Sequence, residues 1–330
     1  MRGPATLRVR NEAVSTQVDP RVEFARAVHR GLTDGPRRLP FRYLYDERGS
    51  ELFEQICETP EYYVTRTEAA ILGRSASKIR AATGPVAIVE LGAGSAVKTD
   101  RILAAYTEGG QHVRYVPVDV SPSALAGAAT RIGERFPSVE LSPHVGTYEE
   151  AILMAAMSSP SMCVFLGSSI GNLDGAEAHA FWEMVSKSLA PGDFFLLGVD
   201  LVKDRAALEA AYNDAAGVTA EFTRNIFVRM NRELGAGLDV DRIEHVARWS
   251  ETHRRIEIWG AFHSTQRASL APIGQSVEIR AGEQVLVEIS RKFVLEDVSA
   301  HLEGYGLQTV EVFTDEGRAF GLLLLRRRGE

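Results

Sequence analysis

The segment Glu90-Leu91-Gly92-Ala93-Gly94, followed one β-α step later by Asp119, carries the plainest chemistry in this chain. Glycines at the end of a strand let the backbone approach a ligand, and an acidic side chain at the end of the next strand can accept hydrogen bonds from both hydroxyls of a ribose. Together they read as a site for an adenosine-containing cofactor, with Gly92, Gly94 and Asp119 among its contacts. A bare Gly-x-Gly also serves as a tight turn with no ligand, but the strand context and Asp119 weigh against that reading. A nicotinamide dinucleotide is disfavoured, because its fingerprint asks for a third small residue three positions after Gly94, where Val97 stands. Lys98, expected at the start of the following helix, can neutralise a carboxylate on the cofactor.

The elements that must position these residues follow from periodicity. Short apolar runs at 86–91, 115–119, 162–166 and 193–200 alternate with helical segments, one of them capped near Ser121, so an α/β fold with a parallel sheet and right-handed crossovers is expected. The end of the chain adds a helix from Leu295 to about Glu303 and two strands, 309–313 and 320–325. The link through Asp315-Glu316-Gly317 makes these an antiparallel hairpin completing the sheet. Residues 20–73 read as helices and turns, with helical spacing over 22–28 and Ser50 as the cap of a second helix. Residues 205–290 read as a long helical stretch around Tyr212 followed by alternating segments. The expected organisation is a disordered tail (1–18), a substrate-binding domain built from 19–67 plus 205–290, and a cofactor-binding domain built from 68–204 plus 291–330.

Composition narrows the partners. The 330 residues are 45% hydrophobic, enough for a substantial core, and 44 acidic against 37 basic residues give a net charge of −7. No Lys/Arg-rich block offers a grip on phosphate backbones or anionic lipid, so nucleic acid and membrane are disfavoured and a small molecule is favoured. Cys57 and Cys163 sit among apolar neighbours and read as buried, reduced thiols rather than metal ligands. With no secretory pattern and no membrane-length apolar run, a cytoplasmic monomer is expected.

Beyond these motifs, six blocks occur in order: Leu44-Tyr45-Asp46-Glu47-Arg48-Gly49-Ser50-Glu51-Leu52-Phe53, Pro60-Glu61-Tyr62-Tyr63, Phe165-Leu166-Gly167-Ser168-Ser169-Ile170-Gly171-Asn172, Asp200-Leu201-Val202-Lys203-Asp204, 211–219, and Glu288-Ile289-Ser290. With them the chain closely resembles the histidine Nα-methyltransferases of ergothioneine biosynthesis, the EgtD family, over roughly residues 20–328. The resemblance implies a class I (Rossmann-like) methyltransferase domain with a second α+β domain, and S-adenosylmethionine as the cofactor. By that resemblance Gly92, Gly94, Lys98, Asp119, Thr147 and Tyr148 hold the cofactor. Tyr62, Gly167, Asn172 and Tyr212 hold the amino-acid head group, with Tyr45 and Tyr62 at the reacting amine. Glu288 and Ser290 bind the imidazole, beside Ile258. The chemistry is apt: Asn172 and Tyr212 are neutral donors for a carboxylate, and Glu288 with Ser290 reads a ring at both edges.

Two departures from the family pattern bear on the site. Gly146-Thr147-Tyr148 stands where the family usually has Gly-Asp-Phe, replacing an adenine-facing carboxylate by a hydroxyl. Ile258 stands where methionine is common. The expected reaction is transfer of methyl from the sulfonium to the neutral α-amine of free L-histidine, repeated up to three times to give the trimethylated betaine hercynine, without a metal. Two other readings stay open at this stage: the same chemistry on tryptophan or a derivative, which one indole N–H matches poorly to Glu288 and Ser290, and a non-catalytic cofactor sensor, which would have no use for an amino-acid pocket.

Overall fold

Local capping explains where the first helices begin in the computed structural model, which describes residues 19–329; the expected tail over 1–18 lies outside the described residues. Helix α1 (Pro20–Thr33) starts where the Asp19 side chain accepts the Arg21 amide at 2.8 Å and proline occupies the first turn. It buries Phe24, Val28 and Leu32. Helix α2 (Glu47–Glu58) is capped by Asp46, not by Ser50, which lies inside the first turns. Helix α3 (Tyr63–Thr83) runs unbroken through the domain limit expected at residue 67.

The alternating core then follows as β1 (Ala87–Leu91), α4 (Asp100–Thr107), β2 (Val113–Asp119), α5 (Pro122–Arg135), β3 (Val139–Leu141), β4 (His144–Val145), α6 (Tyr148–Ala156), β5 (Ser161–Phe165), α7 (Gly175–Ser188) and β6 (Phe194–Asp200). The strands order as β12 (Leu307–Thr314), β13 (Phe320–Arg327), β6, β5, β1, β2 and β3, with β4 beside β2. The terminal strands β12 and β13 form the expected hairpin, and β13 pairs antiparallel with β6 while the inner strands are parallel. Asp315 closes the link by accepting the amides of Gly317, Ala319 and Phe320. This is the class I methyltransferase sheet.

Alternate residues of each strand feed two separate cores. Ile88, Tyr115, Met162, Val164 and Leu196 face α3, α4 and α5. Val89, Val116, Cys163, Phe165 and Phe195 face α6, α7 and α10 (Leu295–Glu303). Strands covered on both faces carry near-continuous apolar text, as β5 and β6 do.

Between β6 and α10 the chain departs from the sheet. It forms α8 (Arg205–Ala210), α9 (Val218–Leu234), a three-stranded antiparallel sheet of β7 (Ile243–Ser250), β8 (Arg255–Phe262) and β11 (Gln284–Arg291), and the hairpin β9 (Gln266–Leu270) with β10 (Gln275–Ile279). Tyr212 lies in the turn between α8 and α9, not in a long helix. Residues 37–39 run along β11, Leu39 donating to the Leu286 carbonyl at 2.8 Å and Leu286 to that of Arg37 at 3.0 Å. Among the described residues, no helix is long and apolar enough to cross a membrane and no His/Cys/Asp/Glu group could hold a metal ion.

Candidate active site

The glycine turn at the carboxyl end of β1 is held open by its neighbours. Gly92 adopts φ +64°, and a Cβ there would stand 3.3 Å from the Tyr148 ring, so any side chain would obstruct both the turn and the ring. Residues 92–99 form a series of turns; α4 begins only at Asp100, so Lys98 sits in the loop and not on a helix. Glu90 is buried beneath this loop, accepting from Thr99 Oγ1 at 2.7 Å and from the Tyr115 hydroxyl. Burial pushes its carboxyl up to about 7 in spite of those bonds. Asp119 receives the amides of Gly94 and Ser121, each at 2.8 Å. Each of its oxygens keeps a free lone pair for a ribose hydroxyl. Burial raises its pKa.

Thr147 caps α6 in a reciprocal box with Glu150, and Tyr148, the next residue, packs edge-on against Phe165 with centroids 4.9 Å apart. Both line the cleft that contains Gly92, Gly94, Lys98 and Asp119. Lys98 meets a partner the sequence reading did not foresee: the fully buried Glu68 of α3, whose carboxylate also accepts the Gly167 amide at 2.9 Å. Glu68 thereby ties the Lys98 loop to the strand-end loop after β5. Cys57, expected buried, is half-buried in the cleft wall, where Thr65 Oγ1 donates to its sulfur at 3.2 Å.

A smaller pocket opens from this cleft and shares Tyr45, Phe53, Gly167, Ser169 and Asn172 with it. Its walls are aromatic: Tyr45 lies 5.4 Å from Phe222 and 5.7 Å from Phe53, and Tyr62 lies 6.0 Å from Tyr212, all in edge-on arrangements. Burial drives the Tyr45 and Tyr62 phenols well above their ordinary pKa, so both are neutral hydroxyls at physiological pH. Asn172 ends a turn at 169–172 that abuts β11. A Cβ on Gly171 would stand 2.9 Å from the Arg291 carbonyl, so only glycine allows that approach. Asn172 Nδ2 then donates to Glu288 Oε1 at 2.7 Å.

Glu288 reaches the pocket through a β-bulge. Strand β11 alternates Val285, Val287, Ile289 with Leu286, Glu288, Ser290, a pattern that turns Glu288 away from Val285. The register slips between Leu286 and Glu288: Val285 pairs with Gly260 of β8, yet Glu288 pairs with Ile258 and Ser290 with Ile256. Opposed residues share a face, so the extra residue brings Glu288 and Ser290 onto the side Val285 occupies. There burial pushes the Glu288 carboxyl up to about 7, against the opposing pull of Lys292 and the Asn172 hydrogen bond. Ile258 is buried beside Glu288 but is not part of the pocket lining, so its side chain acts on pocket shape from behind.

Ser290 Oγ and Tyr212 Oη are 2.8 Å apart. Residues expected at opposite ends of a substrate, Asn172 with Glu288 and Tyr212 with Ser290, are thus hydrogen-bonded to each other, which fits a short side chain folded over a compact floor. Beneath that floor the fully buried Lys292 bonds Tyr212, Ser290 and Asp200. Phe53, Phe222, Glu68 and Lys292 were not singled out from the sequence. Lys292 had a signal: it continues the every-second-residue series Glu288, Ser290.

Residues 24–327 match the family of histidine-specific, S-adenosylmethionine-dependent methyltransferases. The chain is 43% identical, over 92% of its length and 94% of the relative's, to a histidine N-alpha-methyltransferase of Mycolicibacterium smegmatis. It is 31% identical over 89% of its length to ergothioneine biosynthesis protein 1 of Neurospora crassa, covering 34% of that longer protein. An L-tryptophan methyltransferase of Psilocybe serbica is 26% identical over 88% of this chain and 89% of its own.

Proposed function

Given that this chain belongs to the histidine-specific, S-adenosylmethionine-dependent methyltransferases, we propose that it methylates the α-amino group of free L-histidine three times, giving the trimethylammonium betaine that feeds ergothioneine synthesis. The observation that carries this reading is the 2.7 Å contact between Asn172 and Glu288 in a pocket that opens into the cleft of Gly92 and Asp119. A carboxylate donor and a ring acceptor stand together beside the cofactor site.

The residues present suit the methyl donor. Gly92 and Gly94 give backbone access, Asp119 takes the ribose hydroxyls, and Tyr148 with Thr147 borders the adenine. Lys98 faces the donor's carboxylate, with N–H groups to spare beyond Glu68. When bound, the donor supplies a methyl on a sulfonium, an activated leaving group that needs no metal. The protein's part is orientation, which in well-placed reactions is worth up to about 7–11 kcal/mol. Asn172 donates to the substrate carboxylate beside Tyr212, Glu288 accepts from one ring nitrogen, and Ser290 serves the other. Tyr62 and Tyr45, held neutral, fix the amine and pass its proton to solvent.

Repetition follows from the walls. Each methylation makes the nitrogen bulkier and replaces an N–H by a methyl while the product stays a monocation, and the aromatic rings of Tyr45, Phe53, Tyr62 and Phe222 that line the pocket attract a methylated ammonium without demanding an N–H donor. After the third transfer no proton remains on nitrogen and the reaction stops. An indole substrate leaves either Glu288 or the hydroxyl pair unmatched, which disfavours tryptophan. Mass spectrometry of histidine incubated with enzyme and donor tests the reading. Sequential mono-, di- and trimethyl histidine modified only on the α-nitrogen is expected; a ring-methylated product or unreacted histidine overturns it.

A further inference from the structure

Lys292 is fully buried directly behind the pocket, and each of its three ammonium hydrogens is committed: to Asp200 Oδ2 at 2.8 Å, to Tyr212 Oη at 2.9 Å and to Ser290 Oγ at 2.8 Å. The two hydroxyls are also 2.8 Å from each other. We propose that Lys292, held by Asp200, is a positioning residue that sets the hydrogen-bond polarity of the pocket, making the Tyr212–Ser290 pair a net donor toward the substrate and so favouring a ring that can accept.

A proton count carries the argument. Each hydroxyl owns one hydrogen and gives a lone pair to Lys292. Of their two hydrogens, one closes the bond between the oxygens. The other must point into the pocket, from Tyr212 or from Ser290. Glu288 supplies an acceptor on the same face, so the pocket offers one acceptor and one donor. The neutral imidazole of an amino acid matches that pair, with one N–H and one bare nitrogen. Without the lysine both oxygens regain a lone pair, and the pair can rotate to accept instead.

Asp200 anchors the ammonium. It is fully buried and also accepts from Lys203 and from the Tyr63 hydroxyl at 2.9 Å. Lys203 shares that carboxylate but bonds Tyr63 and the Leu201 carbonyl, not the pocket hydroxyls. It therefore serves as an internal control for disturbing the buried charges.

The inference rests on the histidine reading above, and the test separates the two. Affinities for histidine and for thienylalanine, whose five-membered ring has no nitrogen, are measured by calorimetric titration with S-adenosylhomocysteine present, alongside kcat and KM. In Lys292→Met, histidine KM is expected to rise roughly 30-fold with a smaller change in kcat, and the preference for histidine over thienylalanine to shrink about tenfold. S-adenosylhomocysteine affinity and the Lys203→Met preference stay unchanged. Adding Lys292→Met to Tyr212→Phe/Ser290→Ala costs nothing further, because the lysine acts through those hydroxyls. If Lys292→Met misfolds, the double variant Lys292→Met/Asp200→Asn removes both charges and carries the same expectation. An intact preference in either variant overturns the proposal, as does loss of S-adenosylhomocysteine binding in both. Failure of the wild-type enzyme to use histidine would instead sink the underlying reading.

Discussion

The cofactor cleft and the substrate pocket share a wall but are built in opposite ways. The groups assigned to the cofactor come from one stretch of chain, β1 to the start of α6, although residues 40–70 and 166–184 complete the cleft wall. Its ligand groups are backbone turns and side chains satisfied within 30 positions in sequence: Asp119 by Gly94 and Ser121, Lys98 by Glu68, Thr147 by Glu150. The pocket gathers residues from 45–62, 167–172, 212–222 and 288–292, and its polar groups are satisfied by one another across more than 70 positions. A site made of local caps tolerates independent change at each group. A site of mutually bonded side chains is coupled, so its specificity belongs to the set.

The sharpest way to break this comparison is Glu288→Ala. It removes a charged acceptor and leaves Asn172 unpaired, which should cost about 3 kcal/mol, roughly 100-fold in histidine kcat/KM. Titration with S-adenosylhomocysteine should show cofactor affinity untouched; a parallel loss there would mean the two regions are not separable. Asp119→Ala is the reciprocal probe. Loss of a charged acceptor for the ribose should weaken S-adenosylhomocysteine by about 2 kcal/mol, roughly 30-fold, while the histidine-to-thienylalanine preference holds.

Burial of Glu288 predicts a trade between function and stability. Its folded pKa of about 7 lies above the ordinary 4.5, so its contribution to stability is full below pH 4.5 and is lost as pH rises through 7. Glu288→Gln escapes that loss and should gain about 1–2 kcal/mol over wild type at pH 8, vanishing near pH 4, as read from denaturant midpoints. The same titration should make wild-type histidine kcat/KM climb as pH rises through 7, adding to deprotonation of the amine. An advantage over wild type no larger at pH 8 than at pH 4 would show that the carboxyl is not held up by burial. The smallest effect is expected at the aromatic wall. Phe222→Leu removes one face seen by the methylated ammonium, about 0.5–1 kcal/mol, and should shift the product mixture two- to fivefold toward mono- and dimethyl histidine by mass spectrometry. An unchanged product mixture would remove the wall from the account of repeated transfer.

Much of the cleft was legible in the sequence because its determinants are local. Apolar runs at 86–91 and 193–200, the cap at Ser121 and the Asp315 link all reappear in the structure as read. Where local reading slipped, a nearer competitor had won: Asp46 took the cap assigned to Ser50, and a run of turns delayed α4 past Lys98. The pocket residues were named only through family resemblance. On its own, the alternation around Glu288 sets it on the face opposite Val285.

The sequence by itself determined the order of strands and helices, the glycine turn and the acidic residue that faces it, because hydrophobic period, capping and turn chemistry act over a few neighbouring residues. Tertiary structure decided which face Glu288 and Ser290 present, that Asn172 meets Glu288, and that Glu68 and Lys292 stand behind the two sites. The physical reason is pairing at a distance: a one-residue bulge exchanges the faces of a strand, and only the register against β8 reveals that the bulge is there.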